Sequence, residues 1–528
     1  MAFDYVIVGA GSAGAALAAR LSVWSRVLLL EAGGRGRHPW VNVPLGYGKV
    51  FYDKRFNWKY ETEVDPNIGR AMYWPRGKGL GGSSAINAMV YVRGHPRDFD
   101  DWGPGWQWKD VAPMYRRMED WRGSPDPARG KDGPLCVTDM SNAIHPLSRT
   151  YLKAAAEAGI PTNPDYNADE MMGASVYQVT TQDGLRASTS RAYLKPALKS
   201  GNTLDIQTNA FATQILFEGK RAKGVRYVQN GTAKTALAEA EVILCGGAVN
   251  TPQLLQVSGI GPGSLLQKHG IDTIRDAPEV GRNLMDHIGV DLMFAARRPS
   301  MNQVLRPWYG KVRAALEYGL SRQGPLSMSL NHAGGFVRLT DHDGPPDLQL
   351  YFSPLTYSRA PVGVRPLMSP DPFPAFRLGF NPCKPTSKGY LEIRSPDPSK
   401  APAMHPNYLD TEEDWQRMLD GVRIVRRIAE TATFGSISER EMIPGLSLQD
   451  EDAMRAHIRD DCWTVFHQCG TARMGSDGVV DHRLQVQGVD GLRVADASIF
   501  PTIPSGNTNA PAIMVGEKAS DIIREDAR

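Results

Sequence analysis

Gly9, Gly11 and Gly14 stand in the pattern G-x-G-x-x-G, with Ser12 and Ala13 inside it. Glycines at this spacing let the chain turn tightly and bring backbone N–H groups against a pyrophosphate, at the positive end of the helix that follows. Glu31, 22 residues beyond Gly9, is a carboxylate placed to accept hydrogen bonds from an adenosine ribose. The chemistry is dinucleotide binding, and these residues leave NAD and FAD equally open.

Such a turn needs a strand before it and a helix after it. Residues 3–8 are rich in β-branched and aromatic types, residues 12–21 read as a helix, and the apolar run 27–30 ends at Glu31. Together they form a strand, helix, strand unit. The next hundred residues are dense in Gly, Pro and Trp, and 77–87 and 103–106 are expected to be ordered loops. Strand patterns return at 203–208, 224–228 and 241–244. Composition shifts near residue 290, and the runs 347–352 and 389–393 predict a second, more antiparallel sheet. Trp415, Met418, Leu419, Val422 and Val425 recur at helical spacing, and the chain closes with a strand at 491–494 and a helix at 511–523.

A chain of 528 residues exceeds one small core, and 41% hydrophobic with 22% charged residues excludes disorder. Sixty basic against 57 acidic residues leave +3, which supplies no electrostatic reason for nucleic acid or an anionic membrane as partner. Small-molecule chemistry is the expectation. Five cysteines without C-x-x-C pairing suggest neither a disulfide framework nor a zinc site, no metal is expected, and the compartment reads as reducing. The apolar run 5–19 contains three glycines and is too short for an integral membrane segment; with no basic leader before it, a cytoplasmic protein is expected.

Two longer motifs narrow the ligand. Gly77-Lys78-Gly79-Leu80-Gly81-Gly82-Ser83-Ser84-Ala85-Ile86-Asn87 and Gly247-Ala248-Val249-Asn250-Thr251-Pro252-Gln253-Leu254-Leu255 resemble, in order, the two signatures of the glucose–methanol–choline (GMC) oxidoreductases. The resemblance runs from Phe3 to about Ile523, takes in Asp286-His287, and is nearest to the choline dehydrogenase-like branch. It implies FAD in a discontinuous Rossmann-like α/β domain (1–150, 187–290 and 462–528), beside an α+β substrate domain built on an antiparallel sheet (151–186 and 291–461). It places Gly9, Gly11, Ser12, Ala13, Gly14, Glu31, Gly79, Gly82, Ser83, Asn87, Ala88, Met89, Val90, Ala248, Asp496, Ala497, Thr508, Asn509 and Ala510 along the cofactor. Some members tether FAD through a histidine where this chain has Ile86, so the flavin is expected to be non-covalent.

The same resemblance marks His467, in the run 463–475, as the active-site histidine and Asn507, in 501–509, as its partner. Asparagine cannot exchange a proton near neutral pH, which leaves His467 as the base. With an alcohol near pKa 15.7 and histidine near 6.5, free-standing transfer is uphill by roughly 12 kcal/mol. The proton must therefore leave as the hydride leaves, or the oxygen must be held by a donor such as Asn507. His287 and His482 are read as scaffold and Cys469 as a packed thiol. Trp463, Phe466, Tyr351 and Phe352 are candidates for an apolar substrate pocket. The expected reaction is oxidation of an uncharged primary alcohol by hydride transfer to flavin N5, with oxygen or another acceptor as oxidant. A flavin-containing lyase of the same fold is the alternative, and a non-catalytic binding protein is disfavoured by the presence of both His467 and Asn507.

Overall fold

Tyr5, Val6 and Ile7 are buried without alternation, as a strand covered on both faces requires. Phe3–Val8 is central in a seven-stranded sheet of this computed structural model, which describes residues 3–357 and 369–528. Its parallel neighbours are Val27–Glu31 and the end of Thr232–Leu244. Leu204–Thr208 extends the sheet beyond Val27–Glu31, and Leu492–Val494 runs parallel to residues 242–244. Thr232–Leu244 changes partners along its length. Its first half pairs antiparallel with Arg221–Gln229, which pairs in turn with Ala210–Glu218, a strand the sequence pattern did not reveal.

The helix Ser12–Leu21 covers this sheet and packs on the long C-terminal helix Asn509–Asp526. Their approach is close: a side chain at Gly516 would come within 2.3 Å of the Ala13 carbonyl. The Ser12 hydroxyl donates to Asn509 Oδ1 at 2.7 Å, and Glu517, fully buried, pairs with Arg20 and Arg117. Segments from opposite ends of the chain thus build one unit.

The second large sheet is antiparallel, in the order Ser438–Ile443, Ile288–Ala296, Ala375–Pro382, Leu348–Ser353, Ala333–Val337, Gly173–Val176. Glu412–Ala429 covers one face with Trp415, Met418, Leu419, Val422 and Val425, the residues whose spacing predicted it. Gly421 lets this helix approach, since a Cβ there would lie 2.0 Å from the Phe380 ring. The run 389–393 does not join the sheet. Tyr390–Glu392 pairs only with Ala403–His405, because the amides of Gly389 and Leu391 are taken by the carbonyls of Leu284 and Gly281.

Candidate active site

The glycine turn is fixed by contacts that exclude side chains. Gly9 has φ +106°, and a Cβ there would meet the Cys245 carbonyl at 2.3 Å. A Cβ on Gly14 would lie 2.0 Å from the Gly9 carbonyl, whereas the corresponding space at Gly11 is open. Gly14 therefore packs beneath the turn and Gly11 faces a cavity. The second glycine-rich loop closes over it: Gly82 has φ +50°, and a Cβ there would meet Gly11 Cα at 2.7 Å.

Glu31 ties these loops together. Its carboxylate accepts the amides of Ala10 (2.9 Å), Gly33 (2.8 Å) and Gly79 (2.8 Å). Burial pushes its pKa up, but all three partners are donors, so the group that fits them is the ionised acceptor. Three of roughly four lone-pair sites are filled, leaving one for a ribose hydroxyl. Glu31→Ala deprives three buried amides of their acceptor, at about 1–3 kcal/mol each. The expected result is a lower Tm and FAD retention weakened roughly tenfold or more, read by fluorescence titration of the apoprotein; unchanged retention would place the ribose contact elsewhere. Asp496 plays a similar part, accepting from the Gly247 amide, the Thr251 hydroxyl and the Ser498 amide.

One cavity of about 720 Å³ runs from Gly11 and Ser12 past Glu31 to His467 and Asn507. Gly9, Ala13, Gly82, Ser83, Asn87, Ala88, Met89, Val90, Ala248, Asp496, Ala497, Thr508 and Asn509 lie on its wall as well. Gly14, Gly79 and Ala510 stand behind it, the first beneath the turn, the second donating to Glu31, the third buried in the core. The open space at Gly11, the amide-rich turn and the length of the cavity fit a dinucleotide cofactor. Ile86 also lines the cavity and offers no nucleophilic atom to a flavin.

His467 sits at the far end, buried, in a hydrogen-bonded series whose direction is set at its start. The Cys383 carbonyl can only accept, so His287, whose Nε2 lies 2.9 Å from it, carries its proton there. Burial pushes the His287 pKa down to about 4, so the ring is neutral and its Nδ1 accepts. His467 Nδ1, 2.9 Å away, is therefore the donor, and His467 Nε2 keeps its lone pair. That lone pair meets Asn507 Nδ2 at 3.1 Å, while Asn507 Oδ1 accepts from Gln349 Nε2 at 3.2 Å. The amide orientation of Asn507 is thus fixed from behind. His467 is itself held neutral, its pKa well below the ordinary value through burial, then the neighbouring His287 and Arg76.

The backbone supports this geometry. Met285 and Cys469 exchange N–H···O bonds of 3.0 Å, and the Val465 amide donates to the His287 carbonyl, which sets 285–287 against 465–469. Asp286 accepts the His467 amide (2.7 Å), the Tyr408 and Thr464 hydroxyls (both 2.5 Å) and Gln468 Nε2 (2.7 Å). Tyr408 already accepts from Trp74, and Thr464 from the Phe466 amide, so both hydroxyl protons point to Asp286 and the carboxyl is ionised despite its burial. Phe466, next to the histidine, has φ +67°, a conformation that costs a bulky residue on the order of 1 kcal/mol or more. Arg76, half-buried and with its pKa pushed down to about 10 by desolvation, donates to the Phe466 carbonyl at 2.6 Å.

Trp463, Phe466 and Tyr351 line the cavity near His467. Phe352 does not. Adjacent residues of a strand face opposite sides, and Phe352 stacks on Tyr151 and packs at a tilt against Phe376 under the far face of the sheet. The aromatic wall is completed by Tyr47, Phe51, Tyr52 and Tyr73, which come from the loop-rich stretch and carried no sequence signal of their own. Cys469 is a buried thiol and His482 packs against Gly103, as expected of both. His287, expected to be scaffold, is instead in direct contact with His467; its place in the Asp286-His287 pair of the family-like segment was the available signal.

Sequence models of the GMC oxidoreductase family match residues 3–289 and 385–516. The chain is 40% identical to an alcohol dehydrogenase (acceptor) of Pseudomonas putida, over 99% of this chain and 95% of that one. It is 38% identical to an oxygen-dependent choline dehydrogenase of Chromohalobacter salexigens, with the same coverage. Its fold superimposes on the crystal structure of pyridoxine 4-oxidase from Mesorbium loti with a TM-score of 0.88, at 30% identity over 99% of both chains.

Proposed function

Since this chain belongs to the GMC oxidoreductase family, we propose that it oxidises an uncharged primary alcohol with His467 as the base and Asn507 as the donor to the substrate oxygen. It is an FAD-dependent enzyme acting on CH–OH donors. The glycine turn, Glu31, Asp496 and the 82–90 loop would hold the FAD, which supplies the hydride acceptor when bound. The observation that carries the catalytic reading is the fixed direction of the series from Cys383 through His287 to His467 and Asn507.

In that series a lone pair of His467 and an N–H of Asn507 already face each other at 3.1 Å. An alcohol hydroxyl satisfies both at once, donating its proton to His467 Nε2 and accepting from Asn507 Nδ2. The proton is thereby aimed at the base, and the charge that develops on oxygen meets a donor already in place. His467, once protonated, donates from both nitrogens, and its Nδ1–H bond to His287 needs no rearrangement. The aromatic side chains give this end of the cavity an apolar lining, in which each of these interactions is stronger than in bulk water.

The substrate class follows from the carboxylates that line the cavity. Glu31 and Asp496 are engaged by backbone and hydroxyl donors at the cofactor end, Asp291 is paired with Arg377 at 3.1 Å, and Asp460 is exposed. Among the described residues no unpaired buried carboxylate faces His467, so a trimethylammonium head has no counter-charge there and an aliphatic or aromatic alcohol has an apolar wall. The test is anaerobic stopped-flow bleaching of the flavin with a panel of alcohols, choline included, and peroxide assayed in parallel under air. Uncharged primary alcohols are expected to bleach the flavin faster than choline; preference for choline overturns the substrate reading, and no bleaching by any alcohol would favour a lyase. Acid precipitation is expected to leave intact FAD in the supernatant, because Ile86 provides no tether.

A further inference from the structure

We propose that the helix Trp308–Ser321 docks this protein on the surface of an anionic lipid bilayer. Gly310, Ala314 and Tyr318, one every four positions, are its buried residues, and the Tyr318 hydroxyl anchors it by donating to the Gly184 carbonyl at 2.8 Å. The outward side repeats the same spacing with Trp308, Val312, Leu316 and Leu320. Trp308 is 76% exposed, Leu316 60% and Leu320 89%, with Tyr309 exposed beside them. A helix that serves only to cover a core turns its apolar stripe inward. Single exposed apolar residues are ordinary, but a stripe along a whole helix marks a contact surface.

The charges around the stripe select its occupant. By helical periodicity Lys311 falls along one border and Arg313 along the other, and Arg322 caps the end of the helix with its guanidinium over the Tyr318 ring. All three are exposed, Glu317 is the one acidic residue of the helix, and among the described residues no carboxylate forms an ion pair with these cations. A second copy of the chain packed face to face would set cation against cation, whereas anionic headgroups neutralise them. No helix among the described residues is long and apolar enough to cross a membrane. The contact is therefore interfacial, with Trp, Tyr and Leu side chains entering the headgroup boundary and the basic side chains reaching the phosphates. The balanced charge of the whole chain concealed this local arrangement.

The helix also roofs an apolar cavity of about 310 Å³, bordered by Val312 and Ala315 above and by Tyr47 and Leu330. Tyr47 and Leu330 line the main cavity too, so the two spaces share a wall. Docking sets the bilayer against the apolar side of the site. The consequence that alcohols dissolved in lipid are substrates rests on the functional reading above; the docking does not.

Flotation of the flavin-loaded protein with phosphatidylcholine vesicles, with and without phosphatidylglycerol, tests the proposal. The native protein is expected to float with the phosphatidylglycerol vesicles and to be released in part by salt. Combining Trp308→Ser, Leu316→Ser and Leu320→Ser is expected to lower the partition coefficient about 100-fold or more. That variant is expected to keep its flavin and its bleaching by a short, water-soluble alcohol. Lys311→Glu with Arg313→Glu is expected to lower partition about tenfold or more. A native protein that floats with neither vesicle overturns the proposal, as does a triple variant that floats as well as the native chain. A native dimer that the triple variant abolishes, without vesicle binding, would assign the stripe to a second copy and overturn it as well. Loss of bleaching with flotation intact would count against the functional reading alone.

Discussion

The His467→Ala protein is expected to retain FAD and to be reduced by an alcohol about 10²- to 10⁴-fold more slowly than the native enzyme, the usual contribution of a positioned acid–base group. Anaerobic stopped-flow bleaching isolates this half of the reaction from the choice of acceptor. The pH dependence should carry the signature of the buried ring. His467 acts only when neutral, and burial together with His287 and Arg76 holds its pKa well below 6.5. The rate is therefore expected to be flat through neutral pH and to fall only in acid, with that limb absent in the alanine variant. Asn507→Ala is expected to slow reduction as well, since the developing oxygen charge loses its donor. Near-native bleaching by His467→Ala would move the base to another residue.

The second large effect belongs to a residue that touches neither alcohol nor cofactor in this reading. His287 is a positioning residue: it accepts the Nδ1 proton of His467 and so keeps the lone pair at Nε2. In His287→Leu that acceptor is gone, and His467 is free to carry its proton on the wrong nitrogen. Loss of the correct tautomer is severe in other enzymes, and about 10²-fold or more in the rate of bleaching is expected here with substrate binding little changed. His287 also helps to lower the His467 pKa, so the acid limb should move up in pH. His287→Asn, with a carbonyl oxygen near the former Nδ1, should recover part of the rate. A merely structural role would shift neither the limb nor the recovery, and an unmoved profile in His287→Leu would refute the assignment.

What could be read from the chain alone follows the range of the interactions concerned. Gly9, Gly11, Gly14 and Glu31 were legible because the turn, the helix start and the second strand are consecutive, and their spacing is the message. His467 and Asn507 were legible through the runs that flank each of them. The relation of His467 to His287 was not, because the two lie 180 positions apart and meet through the pairing of Met285 with Cys469, which no local pattern encodes. Gln349 escaped for the same reason: its amide matters only once the antiparallel sheet sets it behind Asn507. Phe352 was misplaced because strand alternation says that neighbours face opposite sides without saying which side holds the cavity. Glu31 drew attention as a ribose ligand, while its three backbone partners became visible only when the glycine loops were folded against it.

The packing of Ser12–Leu21 on Asn509–Asp526 also orders events during synthesis. The glycine turn leaves the ribosome well before Asn509, which receives the Ser12 hydroxyl across 497 positions, and before Gly516, which lets the two helices touch. At about 5–20 residues per second, the turn waits roughly half a minute to a minute and a half for the helix that closes it. Leu492–Val494, which completes the parallel stack, and both His467 and Asn507 belong to the same late portion. A nascent chain thus holds an open, apolar half-sheet in which the dinucleotide site lacks Asp496, Thr508 and Asn509. Flavin capture must await this late portion, and the interval before it is when chaperone protection would count most.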